Sequence, residues 1–359
     1  MDGIPEETTV PSRQPITAAW TLASLSEVRR DMPMYAVVGV YAVFSWIFAI
    51  HLGDSQKYHP FQYVPIWTAS SVALLTLIWA ARAIWINPGR PFSVFASLMK
   101  RQWHQGFVQR LPLILVMGVF YGVFTSVKNM LPDIHPFTWD PALAAIDQRL
   151  LGDHDGWAMV AAIIPDGFPL RAMSIFYGWG WLVLVLGFSA YASVAPELRH
   201  LRRQFLLTLY LSWIVAGNIL ACLFMSGGPC FYAKLTGDHL RFAELLHSIS
   251  GTESAATQDY LWTIYVHGWS YLGAGISAFP SVHIVSMALI TLLLKSMGKW
   301  PFFFGVVVTI LMELGSVRLG WHYAIDGIAA IVIAAITWYI VQYVERLFAK
   351  SPAVTQYQP

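Results

Sequence analysis

Eight long apolar runs constrain this chain more than any other feature of its sequence. A helix of about 20 apolar residues crosses the roughly 30 Å hydrocarbon core of a bilayer, and each run reaches or approaches that length. Only 12% of the residues are charged, against about 25% in a soluble domain. We therefore predict an all-α, polytopic membrane helical bundle of about eight transmembrane helices. The runs are Met34–Leu52, Ile66–Trp85, Leu111–Val127, Ala172–Ala195, Phe205–Met225, Pro280–Leu294, Pro301–Val317 and Tyr323–Val344.

Lysine and arginine predict the orientation of the bundle. If the N-terminus is cytoplasmic and the spans alternate, the basic clusters from Arg29 to Lys350 fall inside, while six aspartates between Asp133 and Asp166 fall outside. Cytoplasmic loops carry an excess of basic residues, so we expect both termini inside, in a plasma or bacterial inner membrane. The net charge of +2 gives no indication of a nucleic-acid partner. The sequence carries no signal for the oligomeric state.

Two predicted outer segments, residues 128–171 and 226–278, are too long to be simple turns. The first contains DPALAAIDQRLLG, whose apolar residues have the spacing of a short amphipathic helix on the membrane surface. They are Leu143, Ile146, Leu150 and Leu151. The second opens with SGGPCFYAKLTG, in which glycine and proline end the fifth helix. Long loops in compact proteins are usually functional or disordered, and their apolar content favours ordered lids here.

The last predicted outer loop, GSVRLGWHYAID, contains a histidine and an aspartate at helical spacing. His322 and Asp326 are four residues apart and would share a helix face. A carboxylate at that position accepts a hydrogen bond from one imidazole nitrogen, which leaves the other nitrogen free to attack an electrophile.

A second polar group, in AFPSVHIVSM, begins the sixth run at the same predicted membrane face. A helix N-terminus presents unpaired N–H groups and positive potential, so it attracts phosphate. Pro280 suits the start of a helix because it has no N–H to lose. Ser281 adds a hydroxyl donor, and His283 could protonate a leaving oxygen. Two antiparallel spans would then bring His283 and His322 to one membrane depth.

These motifs resemble the second and third motifs of the type 2 phosphatidic acid phosphatase (PAP2) superfamily. PSVH corresponds to PSGH, and GWHYAID to the end of SR-five residues-H-three residues-D. GGPCFY, GWHY and the tract LPDIHPFTWDPALAAIDQRLLG resemble the branch that includes inositol phosphorylceramide synthases. The resemblance implies a metal-free phosphohistidine enzyme without a cofactor. It makes His322 the nucleophile, Asp326 its orienting group, His283 the general acid and base, and Ser281 a phosphate ligand.

The chain departs from the family pattern where that pattern supplies cations. The arginine of the third motif lies six residues before the histidine in the family, but Ser316 stands there and Arg318 lies four before. GGPCFYAK replaces the first motif, with Lys234 after the proline. A phosphate in a low-dielectric site still needs positive charge. We therefore consider Arg318, Lys234 and Lys128 as phosphate-binding candidates.

Three further residues complete the predicted site. Tyr232 and Trp321 are expected to line the pocket, although aromatic residues are common at a membrane interface. Glu313 lies deeper in the seventh run, where it would pair with Arg318 or another buried group, or be purely structural. Cys222 and Cys230 fit neither a disulfide framework nor a zinc site.

The resemblance also divides the chain. Residues 1–33 would form a cytoplasmic tail, residues 34–110 two additional transmembrane helices with a cytoplasmic loop, residues 111–344 a six-helix catalytic core, and residues 345–359 a second cytoplasmic tail.

The sequence thus predicts a membrane enzyme that cleaves or transfers a lipid phosphoester, with its site on the non-cytoplasmic face. The acceptor would be water or an alcohol such as inositol or diacylglycerol, and lid-forming loops favour an alcohol. Hydrolysis by a lipid phosphate phosphatase is the first alternative. A multi-pass transporter is another, although transporters often contain inverted repeats and none is visible here. A metal site formed by His283, His322 and Asp326 is the remaining alternative.

Overall fold

The computed structural model describes residues 16–102, 107 and 109–349. Within these residues there is no β-strand, and we number fourteen helices in chain order. The prediction of an all-α polytopic bundle is confirmed. The helices are α1 (Ile16–Leu52), α2 (Val64–Ile86), α3 (Pro91–Gln102), α4 (Gln109–Ile134), α5 (Asp140–Leu150), α6 (Gly156–Ala161), α7 (Phe168–Val194), α8 (Arg202–Leu223), α9 (Tyr232–Thr236), α10 (Ala243–Ile249), α11 (Glu253–His267), α12 (Val282–Lys295), α13 (Lys299–Arg318) and α14 (Ala324–Ala349).

Seven helices in the described part of the chain are long and apolar enough to cross a membrane: α1, α2, α4, α7, α8, α13 and α14. The remaining predicted span, Pro280–Leu294, corresponds to α12, which has 14 residues and is therefore only about 21 Å long. It packs against α8, α13 and α14, and most of its side chains are buried. Because protein surrounds it, α12 can begin below the membrane surface without exposing its polar backbone to lipid.

The predicted terminal tails lie partly outside the described residues, which exclude 1–15 and 350–359. The remainder of both tails is helical. Residues 16–33 belong to α1, and residues 345–349 continue α14. The proposed divisions at residues 34 and 345 fall inside α1 and α14, and the one at residue 111 falls two residues after the start of α4. The division into tails, additional spans and core remains a prediction.

α2 and the loop before it dock on α4 through closely approaching backbones. A Cβ atom on Gly118 would lie 2.8 Å from the Cα of Val64, and one on Gly122 would lie 2.2 Å from the carbonyl oxygen of Pro60. This small-xxx-small spacing is typical of helix contacts in membranes. The indole nitrogen of Trp67 also donates to the carbonyl of Ile114 at 2.6 Å.

The predicted amphipathic helix is present as α5. Leu143 is buried, whereas Ile146 and Leu150 are exposed. Together with α6, α9, α10 and α11, it forms a helical cover at the end of the bundle where α12 begins and α13 ends. We refer to this end of the bundle as the site end.

Candidate active site

His322 and Asp326 form a buried pair beside the start of α14. The Nδ1 atom of His322 lies 3.3 Å from Oδ2 of Asp326, and the backbone N–H of Tyr323 donates to the same oxygen at 3.0 Å. Asp326 lies in the first turn of α14, but His322 precedes that helix. The two residues therefore meet across a turn rather than along the helix face that their spacing suggested.

His283 lies at the start of α12, where Ser281 is the N-cap and accepts from the backbone N–H of Ile284 at 3.4 Å. Pro280 is outside the helix, contrary to our expectation, and follows a cis peptide bond. The ring centroids of His283 and His322 are 6.3 Å apart. The backbone N–H of Ser281 also donates to the carbonyl of Asp326 at 3.3 Å. This bond ties the two motifs together.

Asp140 connects the helical cover to the last loop. Its carboxylate accepts from the N–H groups of Gly227 and Gly228 at 2.9 and 2.8 Å and from the hydroxyl of Tyr323 at 3.0 Å. Gly228 has φ of 88°, and a Cβ there would lie 2.4 Å from the carbonyl oxygen of Trp321. Only glycine fits this approach, which holds the GGP loop directly against the residue before His322.

Asp147, seven residues and therefore just under two helical turns after Asp140, contacts the other side of the last loop. Its Oδ1 atom accepts from the backbone N–H of Ile325 at 3.0 Å, at the N-terminus of α14. The pKa of both aspartates is raised, because the effect of burial is larger than the opposing effect of their hydrogen bonds. Sequence reasoning missed these roles and counted both residues only as outer acidic charges. Their seven-residue spacing, which gives one helix face, was the available signal.

Arg318 is the first of the three candidate cations, and it already has several partners. It is 1% exposed. Its guanidinium donates to the carbonyl of Ile164 and the hydroxyl of Ser248, both at 2.9 Å, and forms an ion pair with Asp166. It lines a cavity of about 440 Å³ in the helical cover, together with Trp157 and other residues. Its role as a phosphate ligand remains a prediction.

Lys234, the second candidate cation, belongs to α9 of the helical cover. Its Nζ atom is 3.6 Å from a carboxylate oxygen of Asp259, with 40% of its side chain exposed. It also lies 5.1 Å from the ring centroid of Trp262. A phosphate role for Lys234 likewise remains a prediction.

Lys128 differs from the other two candidates because its side-chain Nζ atom has no hydrogen bond or ion pair with any described residue. It is partly buried on α4, and the backbone of Gly275 covers it so closely that a Cβ there would lie 2.9 Å from Cγ of Lys128. Its charge acts on both His283 and His322. Lys128 is therefore the candidate cation that is both unpaired and near the histidines.

The environment of His322 favours its neutral form. Burial and the positive charge of Lys128 lower the pKa of His322 to about 3, although a hydrogen bond with the backbone at Ala278 acts in the opposite direction. A neutral imidazole retains a lone pair at physiological pH, which a nucleophile requires.

The three expected pocket residues occupy different positions. Tyr232 is buried and packs edge-on against Phe242, with 5.0 Å between ring centroids. Trp321, immediately before His322, lies 6.2 Å from the ring of Tyr177. Glu313 does not pair with Arg318. Its carboxylate instead fills the space that a Cβ on Gly327 would take.

Glu313 has no hydrogen-bond donor to its carboxylate among the described residues. The nearby hydroxyl of Ser316 donates to the backbone carbonyl of Glu313 at 2.8 Å. The described residues also contain no cluster of three or more His, Cys, Asp or Glu side chains with the geometry to hold a metal ion. The metal interpretation of His283, His322 and Asp326 therefore has no geometric support in this part of the chain.

Comparison with protein families agrees with the motif resemblance. A family model described as the PAP2 superfamily matches residues 141–340, more than half of the chain. The chain belongs to the PAP2 superfamily. Membership of this superfamily suggests a phosphatase or phosphotransferase that acts on lipid phosphoesters. The match runs from α5 to α14, which includes the helical cover. No curated protein and no solved structure matches the chain.

Proposed function

We propose that this chain is a membrane enzyme that transfers the phosphoryl-containing part of a lipid phosphoester through a phosphohistidine at His322. The observation that carries the proposal is the arrangement of three side chains. His322 lies 3.3 Å from the buried carboxylate of Asp326, and the ring of His283 lies 6.3 Å from the ring of His322. A phosphorus atom between the two imidazoles would have a nucleophile on one side and a proton donor on the other.

In the first step, the nitrogen of His322 that faces away from Asp326 attacks phosphorus, and a P–N bond forms as the P–O bond to the leaving alkoxide breaks. Protonated His283 gives its proton to that alkoxide, so an alcohol leaves. Asp326 holds the N–H of His322 and balances the positive charge that the ring gains. Each assisted proton transfer is typically worth 10²- to 10⁴-fold in rate.

In the second step, neutral His283 takes a proton from the acceptor. The acceptor oxygen attacks phosphorus, the P–N bond breaks, and His322 returns to its starting form. Lys128 is the cation best placed to balance the phosphoryl charge, because it is unpaired and acts on both histidines. Ser281 and the first N–H groups of α12 would bind phosphoryl oxygens as well.

The direct test is to trap the covalent intermediate. Purified protein in lipid nanodiscs is mixed with ³²P-labelled phosphatidic acid or phosphatidylinositol and quenched in alkali, and the labelled peptide is mapped. We expect an acid-labile phosphate on His322 in the wild type. We expect none in His322→Ala, and wild-type behaviour in His51→Ala, whose histidine is exposed at the end of α1. Phosphate on His283 would reverse the two roles, and activity that requires a metal without phosphohistidine would refute the mechanism.

The acceptor is proposed to be an alcohol, as in the inositol phosphorylceramide synthase-like branch that the sequence resembles. The supporting observation is the helical cover, beneath which His322 is only 6% exposed. A transferase must protect its intermediate from water until the acceptor binds, and a cover does this. A lipid phosphate phosphatase, the alternative function, needs only an open, wet site.

Supplying a phospholipid donor with and without inositol or diacylglycerol separates these functions. Transfer predicts a new phosphodiester or phospholipid that forms faster than inorganic phosphate is released. Full-rate release of inorganic phosphate from a phosphomonoester lipid, with no capture by either alcohol, would instead establish the phosphatase.

The charge asymmetry of the sequence supports a site end on the non-cytoplasmic face, with both termini in the cytoplasm. The motif resemblance supports a PAP2 core at residues 111–344. To test the orientation, two exposed positions are compared: Leu240 is 87% exposed in the helical cover, and His200 is exposed before α8. In a cysteine-free background, Leu240→Cys should react with an impermeant thiol reagent added to intact cells, and His200→Cys should not. The reverse labelling pattern would reverse the orientation.

A further inference from the structure

Two aromatic side chains of α7 contact the imidazole of His283. A π-helical turn at Phe176–Gly180 separates two α-helical parts of this span. The ring of Tyr177 stacks on His283, with centroids 4.7 Å apart and planes 11° apart. The ring of Trp181 lies even closer, at 4.0 Å and 31°. Single π-helical turns inside helices occur frequently at functional sites.

Hydrogen bonding does not explain why these two rings lie there. The hydroxyl of Tyr177 and the indole N–H of Trp181 are buried, and neither has a hydrogen-bond partner among the described residues. Tyr177 is 3% exposed, so water does not readily replace the missing partner. Buried Tyr and Trp usually satisfy their polar atoms. What the two residues share in this structure is contact between their ring faces and His283.

We propose that Tyr177 and Trp181, here called the aromatic pair, are positioning residues that fix the ring plane of His283 and stabilise its protonated form during proton transfer. This inference rests on the proposed function, in which His283 is the general acid and base. The aromatic pair acts through His283 and does not itself contact the reacting atoms.

The electrostatic surroundings explain why a buried general acid needs such help. Lys128 from α4 and His322 from the last loop both disfavour a positive charge on His283. A positive Lys128 opposes a second positive charge on His283. The carboxyl groups of Glu313 on α13 and Asp326 on α14 interact electrostatically with Tyr177. The negative faces of aromatic rings attract a cation within about 6 Å, so stacking favours the imidazolium without adding a charge that would repel phosphate.

The first test measures the contact without any substrate. Histidine-selective ¹⁵N and ¹³C labelling of the full chain in nanodiscs, with assignment by His283→Gln, gives the ring signals of His283. Stacking predicts proton resonances shifted upfield by ring currents. Tyr177→Leu should move them downfield, whereas Tyr177→Phe, which keeps the ring, should not. Trp179→Leu is the matched control, because Trp179 belongs to the same π-helical turn but is 64% exposed.

The second test measures proton donation to the leaving group. Phosphatidic acid releases an alkoxide that needs a proton, whereas 4-dodecyl-2-nitrophenyl phosphate releases a stable phenolate. Tyr177→Leu should lower kcat for phosphatidic acid about ten-fold, a fraction of the roughly 10²- to 10⁴-fold that acid–base catalysis supplies. KM should stay within about two-fold. The nitrophenyl ester should lose much less, and Tyr177→Phe should match the wild type on both substrates.

The outcomes separate this inference from the proposed function. Equal losses on the two substrates, or a Tyr177→Phe variant as defective as Tyr177→Leu, would overturn the positioning role while His322 still carries phosphate. Unchanged His283 resonances in Tyr177→Leu would also overturn it. A wild type that forms no phosphohistidine from either ester would overturn the proposed function, and the inference with it.

Discussion

The two ends of the helical bundle differ in how completely their buried polar groups are paired. At the end away from the site, Arg110 of α4 forms ion pairs with Glu27 and Asp31 of α1. Arg199 also pairs with Glu27. Arg202 is buried nearby and donates to the carbonyl of Ala192 at 3.1 Å. Each charge in this ionic cluster has a partner, and the cluster joins the first span to the core.

At the site end, several buried polar groups lack partners within the described residues. Lys128 has no ion pair. One carboxylate oxygen of Asp326, both of Glu313 and the hydroxyl of Tyr177 have no hydrogen bond. An unpaired polar group in a low-dielectric interior is costly. The comparison shows that the charges of the ionic cluster compensate one another, whereas several polar groups at the site end do not, a pattern that is common at functional sites.

Breaking the ionic cluster should give the largest effect on stability. Arg110→Met would leave the buried Asp31 without its ion-pair partner and remove one of the partners of Glu27, and breaking a buried pair typically costs about 3–5 kcal/mol. We expect a large fall in the denaturation midpoint in detergent, with unchanged kcat for the fraction that remains folded. Arg82→Met breaks an exposed pair with Glu197 and should cost about 1 kcal/mol or less. Equal effects of the two variants would contradict the role assigned to the cluster.

Removing the unpaired lysine should affect activity instead of stability. Lys128→Met should lower kcat/KM for a lipid phosphoester about 10²- to 10³-fold, as the loss of one preorganised donor does, and leave the protein at least as stable. Lys57→Met is the control, since Lys57 pairs with Asp54 and Asp133. A Lys128→Met variant that loses stability but keeps kcat/KM would show that this lysine is structural.

The contacts between the helical cover and the last loop should have an intermediate effect. Asp140→Asn keeps the size of the side chain but replaces one acceptor oxygen, so one buried N–H of the GGP loop loses its partner. We expect a cost of about 1–3 kcal/mol in unfolding free energy, measured by denaturation in detergent. Asp153→Asn, in the same outer segment and with a positive φ that Asn tolerates, should change stability by less than about 0.5 kcal/mol. An Asp140→Asn variant as stable as the wild type would argue against this connection.

The smallest expected effect is the pH dependence that His322 contributes. Its pKa is about 3 in the folded protein, against about 6.5 for an unfolded chain. The unfolded state therefore binds more protons in this range, and stability is present above pH 6.5 and lost as the pH falls. Between pH 6.5 and 5.5, the wild type should lose about 1 kcal/mol more than His322→Gln. Parallel stability curves would show that His322 is not buried in its neutral form.

Local patterns in the sequence were sufficient to predict the class of fold and the family. Apolar runs of membrane-spanning length mark the spans because each helix must bury its own backbone from lipid. His322 and Asp326 are separated by four residues, so local chain geometry nearly determines that they meet. His283 could be predicted beside them because the spans are antiparallel and the loop between the last two is short.

Tertiary packing decided which polar groups are paired. The sequence named Arg318, Lys234 and Lys128 as candidate cations without showing which of them has a partner. In the structure Asp166 and Ser248 bind Arg318, Asp259 pairs with Lys234, and Lys128 has no ion pair with any described residue.

The same packing gave Asp140 its role in the last loop and placed the aromatic pair against His283. Each of these contacts joins residues more than 70 positions apart. Periodicity reports only which face of a helix is apolar, whereas the partner of a buried group depends on how whole helices cross. The sequence therefore determined the spans and the local chemistry of the two motifs, and the tertiary structure decided which of the candidate cations are paired and which is not.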